Sequence, residues 1–387
     1  MRVQTGLESL LHDIPVELRT GRVGLVTNAA AVTRQLESAF DALREAGLNI
    51  VALFSPEHGF FAAAPPGDKV DTLVDARTGI PIYSLYGESV RPTPEMLEGL
   101  THLVVDLPIV GARFFTYEST LFHVMMAAAE ADIDVVVLDR PNPITGVYVE
   151  GPILQDAYRS FVGMLPIPTR HGMTLGELGR MANDVLGIGV RLTVIPATGW
   201  TRDQWFDATG LPWAPPSPNM PSLDTATVYP GTCWVEGTTL SEGRGTPLPF
   251  QVVGAPGLDG YALAGRLNAL ELPGVRFRPV QFIPSIGKHK DTLCEGVQIH
   301  VLDREAFRPV RTVVALLAAV RDQDRNALMF LPSRVGGLLP FDRLVGNEEV
   351  RRALMAGVAW QEIVAPWEQE EMAFRAQRRR WLLYDET

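Results

Sequence analysis

The chain has 387 residues, of which 46% are hydrophobic and 20% charged, a composition typical of a folded globular protein. Its formal net charge of −11 argues against non-specific nucleic-acid binding and against a polybasic membrane-binding surface. At roughly 100–200 residues per domain the length predicts two domains. The only two cysteines, Cys233 and Cys294, argue against a disulfide framework or a cysteine metal site.

The N-terminal segment contains no recognisable export signal. No long apolar run follows the first basic residue, as a secretory leader requires. An uninterrupted apolar run of about 18 residues, the length of a membrane span, is also absent from the sequence. We therefore expect a cytoplasmic protein without a membrane partner, or a secreted or periplasmic one if a leader has been removed.

The first half of the chain alternates short apolar runs with helical segments. Continuous runs rich in Val, Ile and Leu are typical of strands buried on both faces, and strands joined by crossover helices form parallel sheets. In chain order we predict strands at 22–28, 49–54, 82–86, 102–107 and 134–139, and helices at 38–46, 94–99 and 120–130. Residues 1–199 are thus predicted to form a Rossmann-like, doubly wound α/β domain with a mostly parallel sheet.

Polar residues, Gly and Pro cluster where these predicted strands end. The strand ends read TNAA, SPEHG, DLPIVGAR and DRPNP. Ligands of open α/β sheets bind beyond the carboxyl ends of the strands. The topology alone therefore predicts a binding site at this edge of the sheet.

The second half begins with a segment, 205–260, that is dense in Pro and Gly and also carries aromatic residues. Long irregular segments in compact domains are usually functional or disordered, and the aromatic residues argue against disorder. Beyond it we predict helices at 261–270, 311–321, 350–356 and 367–384, and strands at 275–282 and 296–302. Residues 200–387 are predicted to form a smaller α+β domain, with the active site in the cleft between the domains.

Three common motifs are absent from the sequence. TNAAAVT follows the first strand in place of a Gly-rich dinucleotide fingerprint, and neither GxxxxGK[ST] nor GxSxG occurs. None of the seven histidines has HxH or HxxxH spacing, although His58 and His171 could meet Asp106 or Asp139 in space. We expect no metal and no cofactor. A metal- or cofactor-dependent enzyme on the same scaffold is an alternative that metal analysis and chelators would test.

Four acids lie in loops rich in Gly and Pro, namely Glu57, Glu150, Glu236 and Glu242. Any one of them alone is commonly a capping or surface acid. Four together favour a glycoside hydrolase, which needs one protonated carboxyl group and a second carboxylate. A substrate N-acetyl group can replace the second carboxylate in some of these enzymes.

Arginines in the same loops favour an anionic substrate. A guanidinium group binds a carboxylate with planar, bidentate geometry, although each arginine can equally form a salt bridge with a nearby acid. The arginines concerned are Arg113, Arg140, Arg170 and Arg244.

Longer motifs connect these residues to a known family. They read VGLVTN, LFSPEHGF, TGIPIYSLYG, VLDRPNPITG, VEGPIL, SFVGMLPIPTRHGMTLGEL, PPSPNMPS, VYPGTCWVEGTTLSEGRGTPLPF and GAP. Together they resemble the exo-β-N-acetylmuramidase (NamZ, or YbbC) family nearly end to end. The resemblance implies hydrolysis of β-1,4-linked N-acetylmuramic acid from the non-reducing end of peptidoglycan fragments, in cell-wall turnover. It also implies a Rossmann-like domain joined to a smaller one, and a lactyl carboxylate that would explain the arginines.

For this activity we expect Glu57 to be the general acid, with Glu150 as the weaker candidate for a second carboxylate. His58 would bind the sugar or tune Glu57. The residues expected to hold the saccharide are Asn28, His58, Asp106, Arg113, Tyr117, Asp139, Arg140, Asn142, His171, Ser217, Asn219, Glu242 and Arg244.

The chain departs from the family pattern near these residues. Pro108 and Ile109 stand in DLPIVGAR where the family has an amide and an acid, and FFAAAPPGDKV follows SPEHG where the family has an Arg-Gly pair. Glu118 occupies a position that tends to be apolar in relatives. The departures motivate an alternative, a catalytically altered muramyl-saccharide-binding protein or a glycosidase of shifted specificity on the same fold.

Overall fold

The computed structural model describes residues 2–65, 67–333 and 337–385, and its elements are numbered here in chain order. The strands are β1 (Val23–Thr27), β2 (Ile50–Ser55), β3 (Leu73–Val74), β4 (Pro81–Ser84), β5 (His102–Asp106), β6 (Asp134–Leu138), β7 (Glu150–Ile153), β8 (Pro168–Arg170), β9 (Leu192–Ile195), β10 (Val252–Ala255), β11 (Val275–Phe282) and β12 (Cys294–Val301).

Helices surround these strands. The α-helices are α1 (Gly6–His12), α2 (Val16–Thr20), α3 (Ala39–Glu45), α4 (Pro94–Leu97), α5 (Tyr117–Glu130), α6 (Leu175–Val185), α7 (Leu223–Thr232), α8 (Gly260–Ala269), α9 (Pro309–Gln323), α10 (Pro340–Val345), α11 (Glu349–Ala356), α12 (Trp360–Val364) and α13 (Trp367–Arg378). Short 3-10 turns cover Asp156–Tyr158, Phe206–Thr209, Cys233–Gly237 and Arg379–Trp381. Among the described residues, no helix is both long and apolar enough to cross a membrane.

The central sheet has seven strands in the order β3-β4-β2-β1-β5-β6-β9. All neighbouring pairs are parallel except β3 with β4. The chain moves outward from β1 to β2 and β4, and then returns to the other side of β1 at β5, so the strand order reverses between β1 and β5. This arrangement confirms the predicted doubly wound α/β fold with a mostly parallel sheet.

Strand periodicity explains how the sheet is covered on both faces, because successive side chains point to opposite sides. Leu25, Leu53 and Val104 pack on one face with residues of α1 and α3 such as Leu7 and Phe40. The other face belongs to a much larger apolar cluster that includes Phe54, Val105 and Val137 and continues through Trp234 into the second half of the chain. The two halves therefore share one core along the edge where the strands end.

The second half contains a three-stranded antiparallel sheet in the order β10-β12-β11, with α8 and α9 beside it. This confirms the predicted smaller α+β part. The predicted helix at 367–384 is too long, because α13 ends at Arg378 and a 3-10 turn follows.

Helix α7 lies inside the segment that the sequence predicts to be irregular. Ser222 caps it by accepting a hydrogen bond from the backbone N–H of Thr225, and Pro230 lies in its last turn. Residues 225–232 are all buried, so tertiary packing outweighs the low helix propensity of Pro and Gly. α7 leads directly into the 3-10 turn at Cys233–Gly237, which forms part of a wall of the candidate site.

Candidate active site

A cavity of about 260 Å³ opens at the carboxyl ends of β2, β4 and β5, and residues from the second half of the chain close it. Its first wall consists of Glu57, His58, Gly67, Tyr86, Phe114, Phe115, Thr116 and Val162. Its second wall consists of Ser217, Met220, Tyr229, Cys233, Glu236, Arg244, Phe250 and Leu344. We refer to this cavity as the pocket. Its position is the one that the topology of an open α/β sheet predicts.

Glu57 follows β2 and is only 8% exposed. Its Oε1 accepts a hydrogen bond from the backbone N–H of Gly67 at 2.9 Å, and its Oε2 accepts one from Thr116 Oγ1 at 2.6 Å. The phenol of Tyr86 forms a further hydrogen bond with the carboxylate, and burial together with the charge of Glu57 raises the pKa of Tyr86 to about 12. Glu57 is thus held rigidly by neutral partners.

His58 is turned away from the strand direction by a left-handed backbone, with φ of 71°. Its Nδ1 lies 2.8 Å from the carbonyl oxygen of Ala64, so Nδ1 carries the donated hydrogen and Nε2 is left as an acceptor. Burial lowers the pKa of His58, and the positive charge of Arg244 adds to this, while Glu57 and the Ala64 carbonyl oppose it. The imidazole is therefore neutral at pH 7.

Glu236 and Arg244 form the charged part of the second wall. Glu236 lies on the 3-10 turn that follows α7, and its Oε1 accepts hydrogen bonds from Arg244 Nη2 at 2.5 Å and Nε at 3.2 Å. Burial alone would lower the pKa of Arg244, but the charges of Glu236 and Glu242 outweigh it and raise the pKa. The guanidinium carbon also lies 4.9 Å from the ring centre of Phe250. Arg244 is a permanent cation in direct contact with the carboxylate of Glu236.

Asn28 and Tyr117 support the pocket from behind. Asn28 Nδ2 donates to Tyr117 Oη at 2.8 Å, and the Tyr117 hydroxyl lies within hydrogen-bond distance of the carbonyl oxygens of Pro216 and Glu57. Both side chains are buried, and neither lines the pocket. They tie the loop of Glu57 to the loop that carries Ser217, which does line the pocket. Asn219 donates its backbone N–H to Ser217 Oγ at 3.3 Å and lies just outside the pocket lining.

The structure does not bring Glu150 to the pocket. Its Oε1 accepts the backbone N–H of Arg311 at 2.7 Å, in the first turn of α9, and the residue is completely buried. Burial raises the pKa of Glu150 to about 7, against the opposing charge of Arg311. Glu150 therefore serves the start of a helix that has no side-chain cap of its own, and it is not placed to meet a substrate in the pocket.

Arg113 is a structural cation and not a free anion-binding group. Its two terminal nitrogens donate to the carbonyl oxygens of Pro152, Ile167, Leu344 and Val345 at 2.7–3.0 Å. Burial lowers its pKa to about 9, which still leaves it charged at neutral pH. Arg113 thus joins both halves of the chain from the interior.

Asp106 and Arg140 form a bidentate salt bridge with each other, with N–O distances of 2.5 and 2.8 Å. Arg140, Pro108 and Ile109 line a separate, narrow and mainly apolar crevice of about 40 Å³ between the ends of β1, β5 and β6. The family departure at 108–109 therefore faces this crevice and not the pocket.

Asp139 is bound into the start of α6. Its carboxylate accepts hydrogen bonds from Thr174 Oγ1, the Gly176 N–H and Tyr384 Oη at 2.6–2.8 Å. Burial raises the pKa of Asp139 to about 6, although these donors oppose the change. With every oxygen satisfied by the protein, Asp139 is not available to a saccharide.

His171 and Asn142 are likewise used within the protein. His171 Nε2 lies 2.9 Å from Glu118 Oε1, and its Nδ1 accepts the N–H of Met173 at 3.1 Å. Asn142 donates to the carbonyl oxygen of Met173 at 2.9 Å and accepts the N–H of Ile144. The unusual Glu118 is therefore the buried partner of His171 and does not replace the acid missing at 109.

Of the saccharide-binding residues predicted from the sequence, the pocket is lined by His58, Ser217 and Arg244, and it also contains Glu57. Glu242 lies behind Arg244 and contacts its Nε at 3.4 Å. The prediction of site residues omitted Tyr86, Thr116 and Phe250, and listed Glu236 only among the loop acids. Glu236 and Arg244 share the EGTTLSEGRGT stretch, and this was the signal that could have paired them. Among the described residues, no three His, Cys, Asp or Glu side chains come together to hold a metal ion.

Comparisons with known proteins agree along the whole chain. The N-terminal model of the Exo-beta-N-acetylmuramidase NamZ family matches residues 23–224, and the C-terminal model matches residues 227–384. The peptidoglycan beta-N-acetylmuramidase NamZ of Bacillus subtilis (strain 168) is 43% identical over 99% of this chain and 92% of its own length.

Two crystal structures of DUF1343 family proteins from Bacteroides fragilis NCTC 9343 are similar to this chain. One has a TM-score of 0.92 at 35% identity and covers 99% of both chains. The other has a TM-score of 0.81 at 33% identity and covers 100% of both chains.

Proposed function

The chain belongs to the exo-β-N-acetylmuramidase NamZ family, and from this premise we propose that it hydrolyses the β-1,4 bond of terminal N-acetylmuramic acid at the non-reducing end of peptidoglycan fragments, in cell-wall turnover. One observation links the proposed activity to particular residues. Two carboxylates, Glu57 and Glu236, and one arginine, Arg244, line the same pocket. This is the set of groups that a glycosidase acting on an anionic sugar requires.

The two carboxylates lie in different electrostatic environments, which assigns their roles. Glu236 is paired with Arg244, and a nearby cation stabilises the charged carboxylate. Glu57 has no Lys or Arg partner within the described part of the chain, and the Thr116 and Tyr86 hydroxyls beside it can accept as well as donate a hydrogen bond. We therefore assign the role of proton donor to Glu57 and the role of the charged carboxylate to Glu236.

The reaction follows from these roles. Glu57 donates its proton to the glycosidic oxygen as the bond to the anomeric carbon breaks. The negative charge of Glu236 stabilises the positive charge that develops on the anomeric carbon. A water molecule then adds its hydroxyl group to the anomeric carbon, and the proton that it gives up restores the protonated carboxyl group of Glu57. Glu236 thus takes the place for which Glu150 was the candidate from the sequence.

Arg244 accounts for a preference for muramic acid. It is the only Lys or Arg side chain among the described residues that line the pocket, and the lactyl group supplies a carboxylate that glucosamine lacks. A guanidinium group held between acids can bind such a carboxylate through the face left open to the pocket. The cytoplasmic location expected from the sequence stays a prediction.

The test is turnover of a chromogenic β-N-acetylmuraminide by the wild type and by Glu57→Gln, a substitution of the same shape. We expect the wild type to release the chromophore and Glu57→Gln to lower kcat by about 10³-fold or more, with little change in melting temperature. Glu95→Gln, at an exposed position, is the matched control and should retain wild-type turnover.

Three other results would redirect the proposal. Unchanged turnover in Glu57→Gln would remove Glu57 from the chemistry. Calorimetric binding of N-acetylmuramic acid by a wild-type protein that releases no chromophore would favour the alternative, a saccharide-binding protein on the same fold. Release of the corresponding glucosaminide in preference to the muraminide would indicate shifted specificity.

A further inference from the structure

The loop at 283–293, which joins β11 and β12, lies against the segment that carries Glu236 and Arg244. Ser285 donates hydrogen bonds from its N–H and Oγ to the carbonyl oxygen of Gly245, at 3.0 and 2.9 Å. Lys288 and His289 contact three more carbonyl oxygens of that segment, described below. We call residues 283–293 the clamp loop, because side chains and backbone from one short loop hold both ends of the segment.

The backbone of the clamp loop is shaped to make these contacts. His289 and Asp291 have φ of 56° and 58°, in the left-handed region that residues other than Gly rarely adopt. Hydrogen bonds from Asp291 N to Pro284 O and from Thr292 N to His289 O close the loop on itself. Such conformations persist only where surrounding contacts fix them, so the direction of Lys288 and His289 is set by the fold.

Lys288 makes two hydrogen bonds and one ion pair with this segment. Its Nζ donates to the carbonyl oxygens of Val235 at 2.8 Å and Thr238 at 3.0 Å, on either side of Glu236. Glu242 Oε2 lies 2.8 Å from the same Nζ and forms the ion pair. His289 Nε2 adds a contact of 2.7 Å to the carbonyl oxygen of Thr239. Lys288 itself does not line the pocket.

The charges form an alternating series that ends in the pocket. Lys288 contacts Glu242 Oε2, Glu242 Oε1 lies 3.4 Å from Arg244 Nε, and Arg244 Nη2 lies 2.5 Å from Glu236 Oε1. Glu242 and Glu236 therefore compete for the same guanidinium group. Because Lys288 neutralises one side of Glu242, the shorter contact of Arg244 is made with Glu236.

We propose that Lys288 is a positioning residue for the proposed muramidase reaction, and that it acts by keeping Arg244 on Glu236 and directed at the substrate carboxylate. The inference rests on the proposed function of the pocket. Without the Lys288 ammonium group, Glu242 has Arg244 as its remaining partner and draws it away from Glu236. The expected consequence is a loss of turnover and a loss of selectivity for the carboxylate-bearing sugar.

The experiment compares Lys288→Met, which removes the charge at similar length, with Lys288→Arg, which keeps it. Lys290→Met, an exposed lysine on the same loop, is the matched control. We measure kcat and KM on the chromogenic muraminide, and calorimetric dissociation constants for N-acetylmuramic acid and N-acetylglucosamine. We expect Lys288→Met to lower kcat/KM by about 30-fold and the preference for N-acetylmuramic acid by about tenfold, while Lys288→Arg and Lys290→Met stay within about threefold of the wild type.

A double variant separates positioning from general damage to the fold. Lys288→Met combined with Glu242→Gln removes the cation together with the acid that it neutralises, so Arg244 has no competing partner. We expect this double variant to recover kcat/KM to within about tenfold of the wild type, a result that two independent structural defects would not give.

Three outcomes would overturn the proposal. They are unchanged saccharide preference in Lys288→Met, a double variant at least as impaired as Lys288→Met alone, and a loss in Lys290→Met equal to that in Lys288→Met. A wild type that binds N-acetylmuramic acid selectively without turnover would contradict the proposed function instead. The saccharide preference of Lys288→Met would still report on Lys288 in that case, because it is a binding measurement.

Discussion

Two regions of the molecule hold carboxylates in different surroundings. In the interior, Asp139 and Glu150 are completely buried, and burial raises their pKa values to about 6 and about 7. In the pocket, Glu57 and Glu236 face a cavity that is lined by side chains from both halves of the chain. The interior pair has the pKa that a general acid is expected to have, yet it has no space for a substrate. A raised pKa thus indicates burial, and only a cavity beside the group makes it a candidate for catalysis.

The interior carboxylates have a structural task that explains their burial. Asp139 binds the first turn of α6 and Glu150 binds the first turn of α9, where backbone N–H groups lack partners within the helix. The pocket carboxylates start no helix in this way. Substitutions that remove a charge and keep the shape should therefore separate the two regions, with activity lost in one and pH-dependent stability changed in the other.

After Glu57→Gln, the largest effect is expected from Glu236→Gln in the pocket. The substitution removes the negative charge beside the anomeric carbon, so kcat on the chromogenic muraminide should fall by about 10²–10³-fold while KM changes by less than about fivefold. Glu362→Gln, at an exposed position on α12, should behave as the wild type. A raised KM with kcat preserved would show that Glu236 binds the substrate and takes no part in the chemistry.

In the interior, Glu150→Gln should change the pH dependence of stability instead. The ordinary carboxyl pKa of 4.5 rises to about 7 in the folded protein, so between these pH values the folded state holds more protons than the unfolded one. The free energy of unfolding of the wild type therefore falls as the pH rises through this window, and the variant lacks this contribution. From pH 5 to pH 8 the variant should gain about 2–3 kcal/mol relative to the wild type.

Urea unfolding of both proteins at the two pH values measures this difference. The acceptor oxygen for Arg311 is kept in Glu150→Gln, so kcat at pH 7 should stay within about threefold of the wild type. A hundredfold loss of kcat with no change in the pH dependence of stability would return the second carboxylate to Glu150 and contradict the assignment of Glu236.

The same contrast explains how far the sequence could lead. Continuous apolar runs such as 102–107 and 134–139 predicted the parallel strands, because a sheet buried on both faces has a strong local signature. Ligands of open α/β sheets bind beyond the carboxyl ends of the strands, and this rule together with the SPEHG motif led to Glu57. Glu57 and Glu150 look alike in sequence, each in a loop rich in Gly and Pro, and only the packing of α9 against β7 shows that Glu150 is enclosed.

The arginines illustrate a second limit on prediction from the sequence, which concerns contacts between distant residues. Arg113 and Arg244 both lie within two residues of a Gly, and sequence reasoning assigned both to the substrate. The two terminal nitrogens of Arg113 bind four backbone carbonyl oxygens that come from residues up to 232 positions away. Arg244 meets Glu236 only eight positions away. Long-range partners of this kind leave no local pattern, so they were not predictable from one sequence.

The smallest effect is expected from Tyr86→Phe, which tests how the pocket controls Glu57. The Tyr86 phenol has its pKa raised to about 12 by burial and by Glu57, so it remains protonated throughout the neutral range and can donate to the carboxylate. Its removal makes the charged form of Glu57 less stable, and a more weakly acidic Glu57 transfers its proton to the leaving oxygen less readily. We expect kcat to fall by about tenfold and the alkaline limb of the profile of kcat against pH to move to higher pH.

The control is Tyr83→Phe, at a tyrosine on β4 that does not line the pocket, and it should leave the profile unchanged. A movement of the alkaline limb to lower pH would instead indicate that Tyr86 supports the protonated form of Glu57, and would reverse the role of this hydrogen bond while leaving Glu57 in the pocket.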